Sequence, residues 1–161
     1  MRERTSARRA GPVLLVCSTG GHLLQLQTLA AAWAGRPRLW VTFDKADARV
    51  LLAGERVIRA FGPTNRNIPN LLRNIGLAVR VFRSERPSAM VTTGAGVAVP
   101  YAWVARLCRV PVIYVESVTR IEELSLSARM IRPVAERVYV QWPELAATDP
   151  ALHFAGNLFA D

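Results

Sequence analysis

The chain has 161 residues, enough for one domain, and its 51% of apolar residues can fill a core of that size. Its 21 arginines and lysines outnumber its 12 acidic residues, and the formal charge of +9 favours polyanionic partners. Two separated cysteines, Cys17 and Cys108, exclude a disulfide framework and a zinc site of the usual spacing. The composition therefore indicates a basic protein of a reducing, cytoplasmic compartment.

Short β-rich runs alternate with helical stretches along the chain. We expect strands at residues 13–17, 39–43, 56–60, 89–92, 112–115 and 137–141, and helices at residues 23–33, 46–52, 69–83, 96–108 and 123–131. This order predicts an α/β fold, a Rossmann-like parallel sheet flanked by helices. Residues 1–11 are expected to form a disordered basic tail and residues 12–161 one domain. No apolar run approaches the roughly 20 residues that a membrane-spanning helix needs.

The first strand-to-helix loop contains Ser18, Thr19, Gly20 and Gly21. Paired glycines let backbone amides approach an anion, and the helix that follows adds free N–H groups and the positive end of its dipole. The loop is therefore a candidate phosphate site. Alternatively, Ser18 or Thr19 caps the helix and the glycines form a tight turn.

His22 follows this loop directly, in the first turn of the predicted helix. The helix dipole disfavours a charged imidazole at this position, and a neutral imidazole can accept a proton from a sugar hydroxyl. His22 is therefore a candidate general base, with a capping or phosphate-contacting role as the alternative.

The second loop contains Thr93, Gly94, Ala95 and Gly96, again between a strand and a helix. In parallel sheets, ligands bind beyond the carboxyl ends of the strands, where two such loops can face one crevice. Together the two loops predict a diphosphate site. The alternative is a pair of glycine turns that only let helices pack close to the sheet.

The third loop follows the fifth strand and contains Glu116 and Arg120. A carboxylate at the end of a strand can orient or deprotonate a sugar hydroxyl, and an arginine can face a phosphate. We therefore include Glu116 among the catalytic candidates and Arg120 among the phosphate contacts. An ordinary local ion pair between the two is the alternative.

The predicted helix near residue 70 carries apolar residues on two sides. The larger group recurs at helical spacing and is expected to pack on the sheet: Ile68, Leu71, Leu72, Ile75, Val79 and Phe82. The smaller group mixes apolar and basic side chains and predicts contact with an anionic membrane surface: Arg73, Leu77, Arg80, Val81 and Arg83. A solvated basic face with two stray apolar residues is the alternative.

Several motifs in consistent order resemble the PssD-like proteins of bacterial exopolysaccharide and capsule synthesis. These are similar to the membrane-anchoring Alg subunit of the eukaryotic transferase that adds the second N-acetylglucosamine to a dolichol-linked sugar. The resemblance rests on residues 18–22 (STGGH), 63–67 (PTNRN), 92–100 (TTGAGVAVP), 114–117 (YVES) with Thr119 and Arg120, and 140–142 (VQW). The chain also looks like the N-terminal domain of the two-domain GT-B transferase that makes the lipid-linked peptidoglycan precursor.

The resemblance implies the acceptor-binding half of a GT-B glycosyltransferase, inactive without a partner. In such enzymes the two glycine loops are thought to receive the diphosphate of a polyprenyl-linked acceptor, His22 maps onto a candidate catalytic histidine, and Glu116 falls in the acidic loop. A separate donor-binding subunit is expected to hold the UDP-sugar where the two subunits meet. Attachment to the cytoplasmic face of the membrane is expected to be peripheral.

Two rival functions remain open at this point. The chain is either the acceptor-binding part of the enzyme or a non-catalytic scaffold that recruits and activates the donor-binding subunit. A nucleic-acid-binding role is favoured only by the charge of +9, because aromatic interleaving and a recognisable reading helix are missing. We expect no metal, no cofactor and no nucleic acid.

Overall fold

The computed structural model describes residues 11–159, so residues 1–10 of the predicted basic tail lie outside the described residues. Seven strands alternate with helices. The strands are β1 Val13–Val16, β2 Arg38–Thr42, β3 Val57–Arg59, β4 Ala89–Thr92, β5 Val112–Val115, β6 Arg137–Val140 and β7 Leu152–Phe154. The α-helices are α1 Gly21–Thr28, α2 Ala46–Leu51, α3 Ile68–Glu85, α4 Ala98–Leu107, α5 Leu126–Ile131 and α6 Pro143–Ala147. Single 3₁₀ turns cover Ala30–Trp33 and Arg132–Val134.

All seven strands form one parallel sheet in the order β3-β2-β1-β4-β5-β6-β7. The predicted α/β class and its six strands are confirmed; β7 and α6 were not predicted. From β1 the chain moves outward to β2 and β3, then returns across the sheet and moves the other way from β4. The direction of winding therefore reverses between β1 and β4, which makes their carboxyl ends the expected ligand crevice.

Alternate residues of each strand enter two separate cores. Leu14 and Val16 of β1 face the larger core, which α3, α4, α5 and α6 cover. Val13 and Leu15 face a smaller core, which is closed by α1, Trp33 and α2. Right-handed crossovers explain the division, because the two directions of winding place their helices on opposite faces.

Three helices begin or end away from their predicted limits, for local reasons. The first predicted helix is split at Leu29, where the backbone leaves the α region before the 3₁₀ turn. α4 begins at Ala98 because Gly94 and Ala95 have positive φ angles of 99° and 69°. α5 begins after Ser125, whose hydroxyl accepts the N–H of Ala128 at 3.2 Å.

The predicted orientation of α3 was wrong for most of the helix, although Phe82 is buried and Val79 packs against the larger core as predicted. Val81 is 2% exposed and Leu77 packs half-buried against the larger core, whereas Ile68 is 68% and Leu72 62% exposed. The inward face is the one that carries Asn70 and Asn74, together with Ala78, Val81 and Phe82. Hydrophobic periodicity misassigned the face because it counts asparagines as surface residues.

The two buried asparagines have specific backbone partners. The Asn74 side chain both accepts the N–H of Phe61 at 3.0 Å and donates to its carbonyl at 2.9 Å. The Asn70 amide donates to the carbonyl of Pro63 at 2.9 Å. These bonds satisfy the polar groups of the segment that leads into α3, so burying asparagine here costs little. They also fix which side of the helix faces outward.

Candidate functional site

The three predicted loops lie side by side at one edge of the sheet. They follow β1, β4 and β5, which are consecutive neighbours in the strand order. The first two loops flank the point where the winding reverses, and the third adjoins the second. The structure thus brings the predicted phosphate loops and both catalytic candidates to the same edge.

His22 and Thr93 join the first two loops by a reciprocal pair of hydrogen bonds. The Nδ1 atom of His22 lies 2.8 Å from the carbonyl oxygen of Thr93, and the Thr93 hydroxyl donates to the carbonyl of His22 at 2.8 Å. A carbonyl oxygen only accepts, so Nδ1 carries the proton in this pair. In the neutral ring the lone pair is then on Nε2. The half-buried imidazole is therefore oriented as a proton acceptor through Nε2.

The first loop binds an internal carboxylate. The N–H of Gly20 donates to Oδ2 of Asp47 at 2.7 Å, and Gly20 and Gly21 are exposed. Neither Ser18 nor Thr19 caps α1, because the N-cap is Gly20 and the Ser18 hydroxyl donates to the Thr19 carbonyl. The loop therefore binds a negatively charged group of the protein itself, because the Gly20 N–H is hydrogen-bonded to Asp47.

The second loop packs tightly against Thr92 and Tyr114. The N–H of Gly94 donates to the Thr92 hydroxyl at 2.9 Å, and a Cβ atom at Gly94 would lie 2.4 Å from the hydroxyl oxygen of Tyr114. Thr93, predicted as a phosphate contact, is fully buried, and its hydroxyl donates to the His22 carbonyl. Only Ala95 and Gly96 reach the surface.

The motif at residues 63–67 lies against this loop. A Cβ atom at Gly96 would lie 3.1 Å from the hydroxyl oxygen of Thr64. Asn67 caps α3 by accepting the N–H of Asn70 at 2.9 Å. The N-terminus of an 18-residue helix therefore begins beside the second glycine loop.

Glu116 is fully buried and has four hydrogen-bond donors around it. Its Oε1 accepts from the N–H of Ser117 at 2.8 Å, and its Oε2 from the N–H of Ser125 at 2.8 Å. The hydroxyls of Ser125 and Tyr114 add bonds to Oε1 at 3.1 and 3.3 Å. A carboxylate so surrounded has no access to a substrate hydroxyl, so Glu116 orders the third loop by joining its two ends.

The phenol of Tyr114 links Glu116 to the second loop. Burial raises its pKa, and the neighbouring carboxylate of Glu116 raises it further, so the phenol stays a neutral donor. The same oxygen lies 3.1 Å from the Ser125 hydroxyl and against Gly94. The alternative ion pair between Glu116 and Arg120 is absent, and Arg120 is exposed.

Gln25 is a connecting residue that sequence reasoning missed. Its side chain is buried, donates to the Glu116 carbonyl at 2.8 Å and accepts the N–H of Val118 at 3.2 Å. The indole of Trp142 donates to the Val118 carbonyl at 2.7 Å. A glutamine on the inner face of a helix was the available signal, since a buried amide needs polar partners.

The outward face of α3 exposes several apolar side chains. Ile68, Leu72 and Ile75 are exposed and are spaced by four and three residues, so they form one stripe along the helix. Arg73, Arg80 and Arg83 are exposed on one flank of the stripe. Among residues 11–159, no helix is long and apolar enough to cross a membrane, and no cluster of residues suits a metal ion.

The seven-stranded parallel sheet flanked by helices matches the N-terminal-type half-domain of the GT-B fold. MurG from Acinetobacter baumannii has the same architecture, with a TM-score of 0.70 at 19% identity over 91% of this chain and 46% of that chain. The UDP-N-acetylglucosamine 2-epimerase from Rickettsia bellii is also similar, with a TM-score of 0.68 at 13% identity, covering 91% of this chain and 45% of that chain. Because transferase and epimerase share the architecture, these structures show the fold alone.

Sequence comparison shows the family to which the chain belongs. The model of the family described as "Oligosaccharide biosynthesis protein Alg14 like" matches residues 61–158, more than half of the chain, so the chain belongs to this family. The match contains the second and third loops.

Relatives named "UDP-N-acetylglucosamine transferase subunit ALG14" extend the similarity to the first loop. That of Debaryomyces hansenii is 28% identical over 95% of this chain and 78% of its own length. That of Cryptococcus neoformans is 33% identical over 64% of this chain and 51% of its own length. The mouse protein is 25% identical over 97% of this chain and 87% of its own length.

Proposed function

We propose that this chain is the acceptor-binding, membrane-associated subunit of a two-component glycosyltransferase. With a donor-binding subunit, it transfers a hexose or N-acetylhexosamine from a UDP-sugar to a polyprenyl-diphosphate-linked sugar in exopolysaccharide or capsule synthesis. The family and the names of the relatives support a transferase subunit. The observation that carries the proposal is the pairing of His22 with Thr93, which engages Nδ1 and leaves Nε2 of the neutral imidazole without a hydrogen-bond partner among the described residues, between the two glycine loops.

In this proposal Nε2 of His22 accepts the proton of the acceptor hydroxyl as that oxygen bonds to the anomeric carbon of the donor. The bond from this carbon to UDP breaks, and UDP leaves with the electron pair. The backbone amides of Gly21 and Gly96, both exposed residues, bind the acceptor diphosphate, and Arg120 adds charge-assisted hydrogen bonds. Glu116 does not touch the substrate; it holds the third loop, which carries Arg120, in place.

In this proposal the outward stripe of α3 contacts the membrane surface. Isoleucine and leucine side chains enter the acyl boundary, while the three flanking arginines attract anionic headgroups. The proposed membrane surface differs from the one expected from sequence. It still includes the exposed Arg73, Arg80 and Arg83, but it excludes Leu77 and Val81, which pack against the larger core.

The catalytic role is tested by transfer assays on the pair of subunits with UDP-sugars and membranes. In His22→Asn the side-chain amide takes the place of Nδ1 and can still donate to Thr93, but Nε2 is gone. We expect kcat to fall by about 10²- to 10⁴-fold with subunit assembly unchanged. Full activity of His22→Asn would rule out the base and favour a scaffold.

The scaffold remains the second candidate because of one observation, the occupation of the Gly20 amide by Asp47. If the first loop serves only internal packing, changes at His22 leave the transfer rate unaffected. The same assay therefore separates the two functions.

Membrane contact is tested by co-sedimentation with liposomes that contain anionic lipid. The double change Ile68→Ser with Leu72→Ser should remove most binding, as should Glu at the three arginine positions. Val50→Ser is the matched control, because Val50 is 75% exposed on α2 across the sheet. Binding that ignores both lipid charge and these changes would contradict the docking surface.

A further inference from the structure

Residues 60–67 cross the carboxyl ends of two strands. They leave β3 at the edge of the sheet, where the N–H of Ala60 donates to the carbonyl of Thr42 at 2.9 Å. They reach the second glycine loop after β4, where a Cβ atom at Gly96 would lie 3.1 Å from Oγ1 of Thr64. Because β2 and β1 lie between β3 and β4, the distance crossed is three strand spacings, ~14 Å. We call residues 60–67 the crossing segment.

The crossing segment bounds one side of the crevice at the carboxyl edge. Asn74 binds both backbone groups of Phe61, and Asn70 donates to the carbonyl of Pro63, so the segment is fixed to α3. The helix α3 packs in the larger core, whereas the first glycine loop leads into α1, which packs in the smaller core. The crossing segment and the first glycine loop therefore lie on opposite faces of the sheet, with the strand ends between them.

Arg66 of the crossing segment has a left-handed backbone, with a φ of 50°. In the described part of the chain, three further non-glycine residues have a positive φ. Arg86 and Arg109 follow the ends of α3 and α4, where a left-handed residue commonly terminates a helix. Ala95 belongs to the second glycine loop. The two left-handed residues that end no helix are thus in the two segments that meet at Gly96, and strained residues of this kind cluster at ligand sites.

The guanidinium of Arg66 is not neutralised by the protein. Arg66 is exposed, and its side chain forms no hydrogen bond or ion pair with another residue of the described range 11–159. By contrast, Arg49 and Arg59 both donate to the carboxylate of Asp44, which follows β2. A free guanidinium between a glycine loop and the start of α3 suits bidentate binding of a phosphate group.

We infer that Arg66 binds the acceptor diphosphate from the crossing segment, on the side of the crevice opposite the first glycine loop. The inference rests on the proposed function and adds to it a ligand contact outside the three loops. It accounts for an arginine at a backbone position where glycine or asparagine would be less strained. The positive charge is then required for the ligand, and the stability of the domain does not depend on it.

Transfer assays on the pair of subunits compare Arg66→Asn with the control Arg86→Asn. Arg86 is exposed and has a similar φ of 48°, but it lies at the other end of the 18-residue α3, ~27 Å away. Asparagine tolerates a positive φ, so neither change should lower the thermal midpoint. We expect the KM for the lipid-linked acceptor to rise about tenfold or more in Arg66→Asn alone, with the KM for the UDP-sugar unchanged. An unchanged acceptor KM, a rise only in the KM for the UDP-sugar, or equal effects at both positions would overturn the inference.

Direct binding separates this inference from the chemistry of transfer. The probe is farnesyl diphosphate, measured by equilibrium dialysis with the purified chain. Its Kd should rise about tenfold in Arg66→Asn and about threefold in Arg66→Lys, which keeps the charge but loses the planar fork of donors. Equal binding by wild type and Arg66→Asn, or binding by neither, would overturn the inference even if His22→Asn abolishes transfer. Weaker binding in Arg66→Asn together with full activity of His22→Asn would contradict the proposed base alone.

Discussion

His22 and Thr93 each bind the backbone carbonyl of the other, at 2.8 Å in both directions. The pair connects the loops after β1 and β4 across the point where the winding reverses. Neither residue can move without breaking a bond that positions the other. The orientation of the imidazole is therefore a property of the fold and precedes substrate binding.

Replacing Thr93 by valine tests this relationship. Valine keeps the shape of threonine but removes the hydroxyl that donates to the His22 carbonyl, so the free energy of unfolding should fall by about 0.5–1.5 kcal/mol. Under the proposed function, the transfer rate should fall as well, because one of the two hydrogen bonds between His22 and Thr93 is lost. Urea denaturation checks the first effect. Thr93→Ser retains the hydroxyl and should stay near wild-type stability; equal losses in both variants would show that packing, not the hydrogen bond, matters.

Gly94 is expected to tolerate no side chain. Alanine would place its Cβ 2.4 Å from the Tyr114 hydroxyl and at a φ of 99°, so clash and backbone strain add. We expect a loss of about 2–4 kcal/mol in thermal or urea unfolding.

The control for this change is Gly20→Ala. Gly20 also has a positive φ, 74°, but no atom lies within 4 Å of the position that an alanine Cβ would take there. Only backbone strain, about 1–3 kcal/mol at a φ of 74° and a ψ of −136°, should remain. If Gly94→Ala cost no more than Gly20→Ala, the Tyr114 hydroxyl would have room to move away from the added methyl group.

Glu116→Gln should lower the free energy of unfolding and change kcat comparatively little. Each carboxylate oxygen accepts a backbone N–H, so the amide nitrogen of glutamine must face one of these donors. Unfolding free energy should drop by roughly 2–3 kcal/mol. At a temperature where the variant is folded, kcat should stay within about tenfold of wild type, unlike His22→Asn. A loss of activity in fully folded Glu116→Gln as large as that of His22→Asn would restore a catalytic role.

Asp47 is predicted to weaken the binding of an anionic acceptor. Its carboxylate occupies the Gly20 amide, and a diphosphate at the first loop would lie close to this charge. Asp47→Asn keeps an acceptor for the amide but removes the charge, so the KM for the acceptor should fall roughly three- to tenfold. The gain should shrink as salt is added. An unchanged or higher KM would place the diphosphate elsewhere.

Much of the architecture was predictable because buried parallel strands and glycine loops leave strong local signals. The environment of Glu116 was not predictable. Its four hydrogen-bond donors come from residues 114, 117 and 125, and they lie close together only because the third loop folds back on itself. A carboxylate after a strand looks the same in sequence whether it faces solvent or is enclosed. The partners of Gln25 were hidden for the same reason, because they lie 91 and 93 residues away.

α3 shows a different limit of sequence reasoning. Its apolar residues outnumber the positions that the core accepts, so periodicity identifies an apolar side without saying whether that side meets the core or the surroundings. Asn70 and Asn74 determine which side of α3 faces the core, because their side-chain amides hydrogen-bond to the backbone of Pro63 and Phe61. Such matches involve the particular path of a neighbouring segment, which local patterns do not encode.

The asparagine bonds of α3 also bear on the speed of encounter with a bilayer. With Asn70 and Asn74 tied to the preceding segment, the helix cannot roll about its axis, and its stripe already faces outward before any lipid arrives. Adsorption then requires no unfolding or helix rotation. The association rate should therefore be set by diffusion and by attraction between arginines and headgroups, and should show little dependence on the stability of the domain.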